Sequence, residues 1–399
     1  MSKSTNKKNN IKVTKKIKKE KKYQFQSPKG MHDITPREWP MWDKVTSACK
    51  KITDFYNFQY IETPVMESVE LFTRTVGMST DIVEKEMYYV TGGEMGKKDA
   101  YVLRPEGTPP VIRAYIEHGL HHISQPVKLS YLGPMFRHEQ PQSGRLRAFH
   151  QQGFEIIGGS TDSIHDAQII LAAYRVLEEA GLKNLSIKIN SIGCKVCRPH
   201  FKKRLIEYYR RREKDLCVDC VRRLKTNPLR LLDCKKPECA PLKEKAPSLM
   251  DHLCITCNSH LKLVLEYLDE LSLSYTLDNY LVRGLDYYSR TVFEIFSDKC
   301  DFALGAGGRY DYIFENFLMR PTSAVGCALG IERIIEALKL DGVEATNIKK
   351  AKLFLVYIGD LAKKRALSLI ELLRQNNIYI SEAFGKDIMK KQMHLANKG

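Results

Sequence analysis

The chain has 399 residues, 43% hydrophobic and 28% charged, which suits a soluble globular protein of two or three domains with a large core. No apolar run approaches the roughly 18 residues of a membrane-spanning helix, and the N-terminus carries charge without an apolar segment behind it, which excludes a secretory signal. The net charge of +17 favours a polyanionic partner.

Ten Lys and one Glu fall within residues 1–22, so nine of the net positive charges lie there. Like charges repel and nothing apolar is available to bury, which predicts a disordered basic tail over 1–24. It reads either as a loose solvated tail or as an electrostatic arm for RNA. Its Lys and Asn differ from the Arg and Ser of a transit peptide, so a cytoplasmic protein is expected. Beyond it, SPKGMHDITPREWPMWDKV leads into apolar residues at Trp42, Val45, Cys49, Ile52 and Tyr56. Their spacings of 3, 4, 3 and 4 give one face of an amphipathic helix, with Pro40 tolerable near its start. QYIETPVME continues as a strand interrupted by Pro64.

YVLRPEGT, residues 101–108, reads as a strand ending in a turn, followed by a short helix from Pro109 to His118. Glu106 and Thr108 would sit at the strand's mouth, where a carboxylate and a hydroxyl suit an ammonium group. The run KLSYLGPMFRHEQPQSGRLRAFHQQGFEIIG has two alternating β-prone segments around Gly144, the pattern of a hairpin with a long loop. It carries Arg137, Glu139, Arg145, Arg147, Phe149, Gln151 and Glu155. Planar guanidinium groups match phosphate and carboxylate bidentately. Gln151 and Glu155 fall on one strand face, and a buried acid there is suited to the N–H donors of an imidazole.

A helix is predicted from Ser163 to Gly181, then a strand in LSIKINSIG. Eight of the eleven Cys crowd into residues 194–257 as Cys194 and Cys197, Cys217 and Cys220, Cys234 and Cys239, and Cys254 and Cys257. In an intracellular chain such spacing points to structural zinc, and eight thiolates can serve two closed sites; the pairing stays open. KKRL, RRREK and RRLK between them make a basic surface fit for a phosphate backbone. LVRGLDYYSRTVFEIF, residues 281–296, reads as a strand broken by Arg283, Asp286 and Arg290, on which adjacent Tyr287 and Tyr288 would face opposite ways. GAGGRYD, residues 305–311, reads as a Gly-rich turn, and AVGCALGIERIIEAL as a strand and helix ending at Leu338. After a linker at 340–351, KLFLVYIG, a helix over Asp360–Asn376, IYISEAF and a last helix form a β-α-β-α run.

Taken in order, these strings resemble the three motifs of class II aminoacyl-tRNA synthetases and both histidine signatures of the histidyl-tRNA synthetases. The resemblance implies an α+β catalytic domain over 25–338, built on an antiparallel sheet with flanking helices. It implies a Cys-rich insertion over 193–272 that meets the tRNA acceptor arm, and a partial α/β anticodon-binding domain over 351–399. A half-built parallel sheet would expose an edge, so truncation of that domain is expected. The family's reaction activates histidine with ATP and Mg²⁺ and transfers it to tRNA(His), by a homodimer whose interface uses the first long helix and strand.

By the same resemblance, Glu106, Thr108, Arg137, Gln151, Glu155, Arg283, Tyr287 and Tyr288 hold histidine. Arg137, Glu139, Arg145, Phe149 and Arg333 hold ATP, and Arg137, Arg283 and Arg333 are the catalytic cations. Gln140 and Gln142 would meet the acceptor end; Gln140 stands where the family often has Arg, which removes one phosphate-neutralising charge. Cys327 stands where a bulky aromatic is common. The competing expectation is a catalytically silent paralogue that senses histidine as a regulatory subunit of histidine biosynthesis. Such paralogues tend to lose the active-site arginines, and a third possibility is an RNA-binding module without activity.

Overall fold

The computed structural model describes residues 25–78, 80–90, 100–141, 144–317, 319, 321–345, 351 and 353–397. The basic tail over 1–24 and Gln142 lie outside them. The apolar period of residues 42–56 forms the helix Trp39–Phe55, with Pro40 in its first turn and Met41, Trp42, Val45, Ala48, Cys49 and Ile52 buried. It packs against Ile164–Ala180 and Ile331–Leu340. The middle helix stops where predicted, at Gly181, whose φ of +109° favours glycine.

These helices cover one face of an eight-stranded sheet. Its order is Gln59–Tyr60, Val127–Phe136, Ala148–Ile157, Ala324–Gly330, Gly305–Arg309, Ser289–Ser297, Leu185–Ser191 and Tyr275–Leu277. The inner pairs are antiparallel and the two edge pairs parallel. The predicted hairpin pairs without a break from Val127 opposite Ile157 to Phe136 opposite Ala148. Phe154, Phe293, Val325 and Leu329 meet Val45, Ile169 and Ile334 in the core between sheet and helices. A second, three-stranded sheet joins Met66–Ser68, Tyr101–Leu103 and Tyr88–Val90.

A buried ion network ties the central helix to the sheet. Arg309, fully buried, donates to Asp166, to Asp311 at 3.1 Å and to the Ser323 hydroxyl at 2.9 Å. Burial opposes the charge on Asp166, yet Arg309 and His260 hold its carboxyl down to about 2.

Two sequence expectations are corrected. The predicted strand over 281–296 starts only at Ser289; residues 281–288 have no regular structure. β-prone side chains express a half-buried environment more than a backbone preference, and this loop buries Leu281, Val282, Tyr287 and Tyr288 without pairing. The Gly-rich segment is likewise no turn, because Gly305–Arg309 is a central strand. A Cβ at Gly307 would lie 2.3 Å from the Gly326 carbonyl oxygen, so glycine permits the strand to lie this close to its neighbour.

Between Cys197 and Glu270 the chain is helical, with Cys197–Arg210, Val218–Thr226, Ala240–Glu244 and Ile255–Glu270 as its α-helices among short 3₁₀ turns. At the C-terminal end, Leu353–Leu355 and Ile380–Glu382 pair in parallel across Gly359–Gln375, before Met389–Ala396. This is the predicted β-α-β-α order.

Candidate active site

A cavity of about 490 Å³ lies over the sheet, bordered by the helices Trp39–Phe55 and Ile331–Leu340 through Trp42, Glu332 and Arg333. Its lining brings together Glu106, Thr108, Arg137, Glu139, Arg145, Phe149, Gln151, Arg283, Tyr287, Tyr288 and Arg333, all of which the sequence nominated. They come from the Pro105–Thr108 segment, the long hairpin, the irregular loop at 281–288 and the start of the Ile331–Leu340 helix. Glu155 stands outside the lining, fully buried, its oxygens accepting from the Thr108 hydroxyl at 2.8 Å and from the Tyr310 hydroxyl. Gln140 is exposed on the hairpin loop, apart from the cavity.

One end of the cavity is cationic. Arg333 is fixed by donating to the Gly144 carbonyl at 2.7 Å and the Ala303 carbonyl at 2.8 Å. Burial first, and then the charges of Arg137, Arg145 and Arg283, push its pKa down. Positive groups held against mutual repulsion are relieved by a polyanion. Arg137 donates through Nε to the Pro105 carbonyl at 2.8 Å, and its guanidinium carbon lies 5.3 Å from the Phe149 ring centroid. Arg145 reaches Glu139 at 3.2 Å.

The other end is acidic and aromatic. Burial lifts the Glu106 carboxyl to about 7, against the opposing charge of Arg137, the Tyr287 hydroxyl and the charge of Arg283. Tyr287 donates to Glu106 Oε2 at 3.1 Å, while Oε1 has no partner. Gln151 Oε1 and Arg283 Nε are also buried and unpartnered. Buried polar atoms in folded proteins are nearly always paired, so three such atoms on residues lining one cavity mark places for ligand atoms. Burial lifts Glu155 to about 8, against the hydroxyls of Tyr310 and Thr108, and the Glu106 charge adds to the rise.

Tyr287 and Tyr288 both line the cavity, with ring centroids 4.6 Å apart. The expected opposite orientation fails because neither residue is on a strand, so pleat alternation does not apply. The Cys327 thiol at the wall is pushed far above its ordinary pKa by burial, which removes it as a nucleophile.

Sequence reasoning missed Tyr131, Glu294, Tyr310 and Glu332. Tyr131 lies at the floor against Gly107 and Gly153, where an added Cβ would meet its ring at 2.3 Å and 2.1 Å. Glu294 pairs with Arg283, and Glu332 accepts from the His150 main-chain N–H at 2.9 Å.

The eight clustered cysteines resolve into two sets, Cys194, Cys197, Cys254 and Cys257, and Cys217, Cys220, Cys234 and Cys239, each with its sulfurs within 4.8 Å of one another. Cys194 Sγ lies 3.8 Å from those of Cys197 and Cys254, and Cys217 Sγ lies 3.9 Å from that of Cys234. A tetrahedron with zinc–sulfur bonds of about 2.3 Å has sulfur–sulfur edges of about 3.8 Å, so both sets fit zinc.

The sequence model of the family described as Histidyl-tRNA synthetase matches residues 30–334. The chain is 44% identical over 375 residues to a histidine–tRNA ligase of Dehalococcoides mccartyi, covering 94% of this chain and 89% of that one. It is 43% identical to one of Thermodesulfovibrio yellowstonii, over 93% of this chain and 87% of that one. Among solved structures, the apo histidyl-tRNA synthetase of S. aureus superposes with a TM-score of 0.77 at 33% identity, covering 94% of this chain and 89% of that one. A Bacillus halodurans protein titled an ATP phosphoribosyltransferase regulatory subunit/histidyl-tRNA synthetase shares the fold, with a TM-score of 0.66 at 22% identity over 94% of this chain and 97% of that one. By these matches the chain belongs to the histidyl-tRNA synthetase family.

Proposed function

We infer that the chain is a histidine–tRNA ligase that joins histidine to ATP as histidyl-adenylate and passes the histidyl group to the 3′ end of tRNA(His). The observation that carries this reading is one cavity that gathers four arginines, Arg137, Arg145, Arg283 and Arg333, with the open acceptors Glu106 Oε1 and Gln151 Oε1. A histidine carboxylate oxygen forms a bond to the α-phosphorus as pyrophosphate leaves. A ribose hydroxyl of the tRNA then attacks the carbonyl carbon, loses its proton, and AMP departs. Neither step needs a side-chain nucleophile.

Glu106 Oε1, Gln151 Oε1 and the Thr108 hydroxyl are assigned to histidine's ammonium group. Imidazole selection is assigned to Glu155, with Tyr287 and Tyr288 closing the pocket; a ring N–H competes for oxygens that Thr108 and Tyr310 now hold. Phe149 takes the adenine face and Glu139 its edge. Arg145 and Arg333 take the outer phosphates, and Arg137 and Arg283 neutralise the carboxylate and α-phosphate as they approach. Mg²⁺ accompanies ATP and lowers its charge; Glu139 and Glu332 are the hard oxygen donors nearby.

The Cys-rich insertion over 193–272 is assigned two structural zinc ions and, with the exposed Gln140, contact with the acceptor arm. Residues 351–399 are assigned to the anticodon. Exposed Phe55, Tyr60, Val65 and Met66 support a homodimer face beyond the first helix. Among the described residues no helix is long and apolar enough to cross a membrane, and we place the enzyme in the cytoplasm. The regulatory alternative draws no support from a site that keeps Arg137, Arg283 and Arg333 together.

The test is ATP–pyrophosphate exchange with each amino acid in turn. Exchange with histidine alone is expected, and a folded protein that binds histidine without exchange would favour the regulatory reading. The raised Glu106 carboxyl adds a pH dependence. A carboxyl near 7 is largely protonated below that pH, and only its ionised form meets an ammonium well, so the KM for histidine should rise as pH falls through about 7. Glu106→Gln should be weaker above about pH 7, converge on wild type below it and lack that rise, apart from titration of histidine's own imidazole, which both proteins share. Parallel profiles would count against the assignment.

A further inference from the structure

We propose that Arg198 and Asn227, both in the Cys-rich insertion, are positioning residues that hold the irregular histidine loop, so that the insertion sets histidine affinity. The proposal rests on reading the cavity as a histidine site. The loop carries Arg283, Tyr287 and Tyr288 but has no strand or helix to fix it. Its backbone must therefore be held by tertiary contacts.

Beside the Asn190 side chain, which donates to the Leu281 carbonyl at 2.9 Å, two of those contacts come from the insertion. Arg198 directly follows Cys197, and its guanidinium donates to the Tyr288 carbonyl at 2.6 Å, the Ile192 carbonyl at 3.0 Å and the Gly193 carbonyl at 3.0 Å. One cation thus bridges the knuckle of the first cysteine cluster and the backbone of a pocket tyrosine. The same turn closes on Arg290, whose N–H donates to Gly193 at 2.9 Å and whose carbonyl accepts from Ile192 at 2.7 Å. From the second cluster's segment, Asn227 donates to Asp286 at 2.6 Å. Asp286 N–H also donates to the Val76 carbonyl at 3.1 Å, and a Cβ at Gly77 would meet its carboxylate at 2.7 Å, so the loop is clamped between insertion and catalytic core. Arg230 lies beside Gly284, where a Cβ would be 2.8 Å from its guanidinium, and it pairs with Asp81 at 3.1 Å.

Losing a charge-assisted hydrogen bond from a positioned loop translates into roughly a tenfold loss of affinity or more. Arg198→Met is expected to raise the KM for histidine about tenfold in pyrophosphate exchange while the KM for ATP stays within about twofold. Arg198→Lys, which keeps the charge and loses the fork, should fall between. Asn227→Ala gives an independent second variant and should shift the same constant in the same direction. Backbone amides of residues 281–290 should exchange hydrogen at least about tenfold faster in each variant, with the Ile164–Ala180 helix and the bound zinc unchanged. If loop protection and histidine KM both match wild type, or if both substrates' KM values rise together, the proposal is overturned. Should the wild-type protein show no histidine-dependent exchange, the ligase reading fails, while the hydrogen exchange still decides whether these residues hold the loop.

Discussion

Arg283→Ala is expected to lower histidine-dependent ATP–pyrophosphate exchange by about 10³-fold while the thermal midpoint moves by only a few degrees. The chemistry brings two anions together, a carboxylate and the α-phosphate, and their repulsion must be cancelled where the bond forms. Preorganised donors at such sites are worth about 10²–10³ in rate, and cations on transferring phosphoryl groups up to about 10⁵. Arg283 pairs with Glu294 through one arm and leaves Nε unpartnered at the cavity, so its charge is held in place with a donor still open. Alanine would also strand Glu294 as an uncompensated carboxylate facing both anions. That second effect is separable. Arg283→Ala combined with Glu294→Gln should recover part of the loss, and Arg283→Lys should retain charge but lose bidentate geometry. Exchange within about threefold of wild type in Arg283→Ala would remove this residue from the catalytic set.

The same residue shows what could be read from the chain and what could not. Arg283 is legible as a charge in an apolar string, and the hairpin residues from Arg137 to Gln151 are legible because strand alternation is local. The backbone under Arg283 is not legible. Its Leu, Val and Tyr neighbours have the composition of a strand, but they are buried in a core shared by the insertion and the sheet, and the hydrogen bonds come from Arg198, Asn227, Asn190 and Val76 rather than a ladder. The Gly-rich strand fails in the opposite direction: glycines that usually punctuate turns here permit two central strands to approach. Glu294 and Tyr131 look like ordinary strand positions and Tyr310 like part of a turn, and only the folding of distant segments around them makes them part of the site.

The cysteines are the sharpest case, since their pairs are local but their grouping is not, and the grouping carries a second large prediction. The protein is expected to hold two zinc ions per chain, and removing them should unfold the insertion. Apparent binding free energies of structural zinc sites, about 10–16 kcal/mol, match or exceed the whole stability of a typical domain at about 5–15 kcal/mol. Between the two longer helices, Cys197–Arg210 and Ile255–Glu270, the chain has only Val218–Thr226, Ala240–Glu244 and 3₁₀ turns, and the sulfurs sit inside it: Cys197, Cys220, Cys239 and Cys257 are all buried. Without metal, eight thiols would face one another beside a core of Phe201, Leu205, Tyr209, Leu231 and Leu232, and the cross-links that join the segments bearing them would be lost. Elemental analysis of double variants tests the grouping directly. Cys194→Ser with Cys257→Ser removes two ligands from one set and should leave one zinc, whereas Cys194→Ser with Cys217→Ser touches both sets and should leave neither tightly held. If the two doubles lose metal equally, the sets are wrongly drawn. A wild-type protein that is fully folded without zinc would show instead that the thiols pack as buried apolar groups, and that the insertion owes its shape to the helices alone.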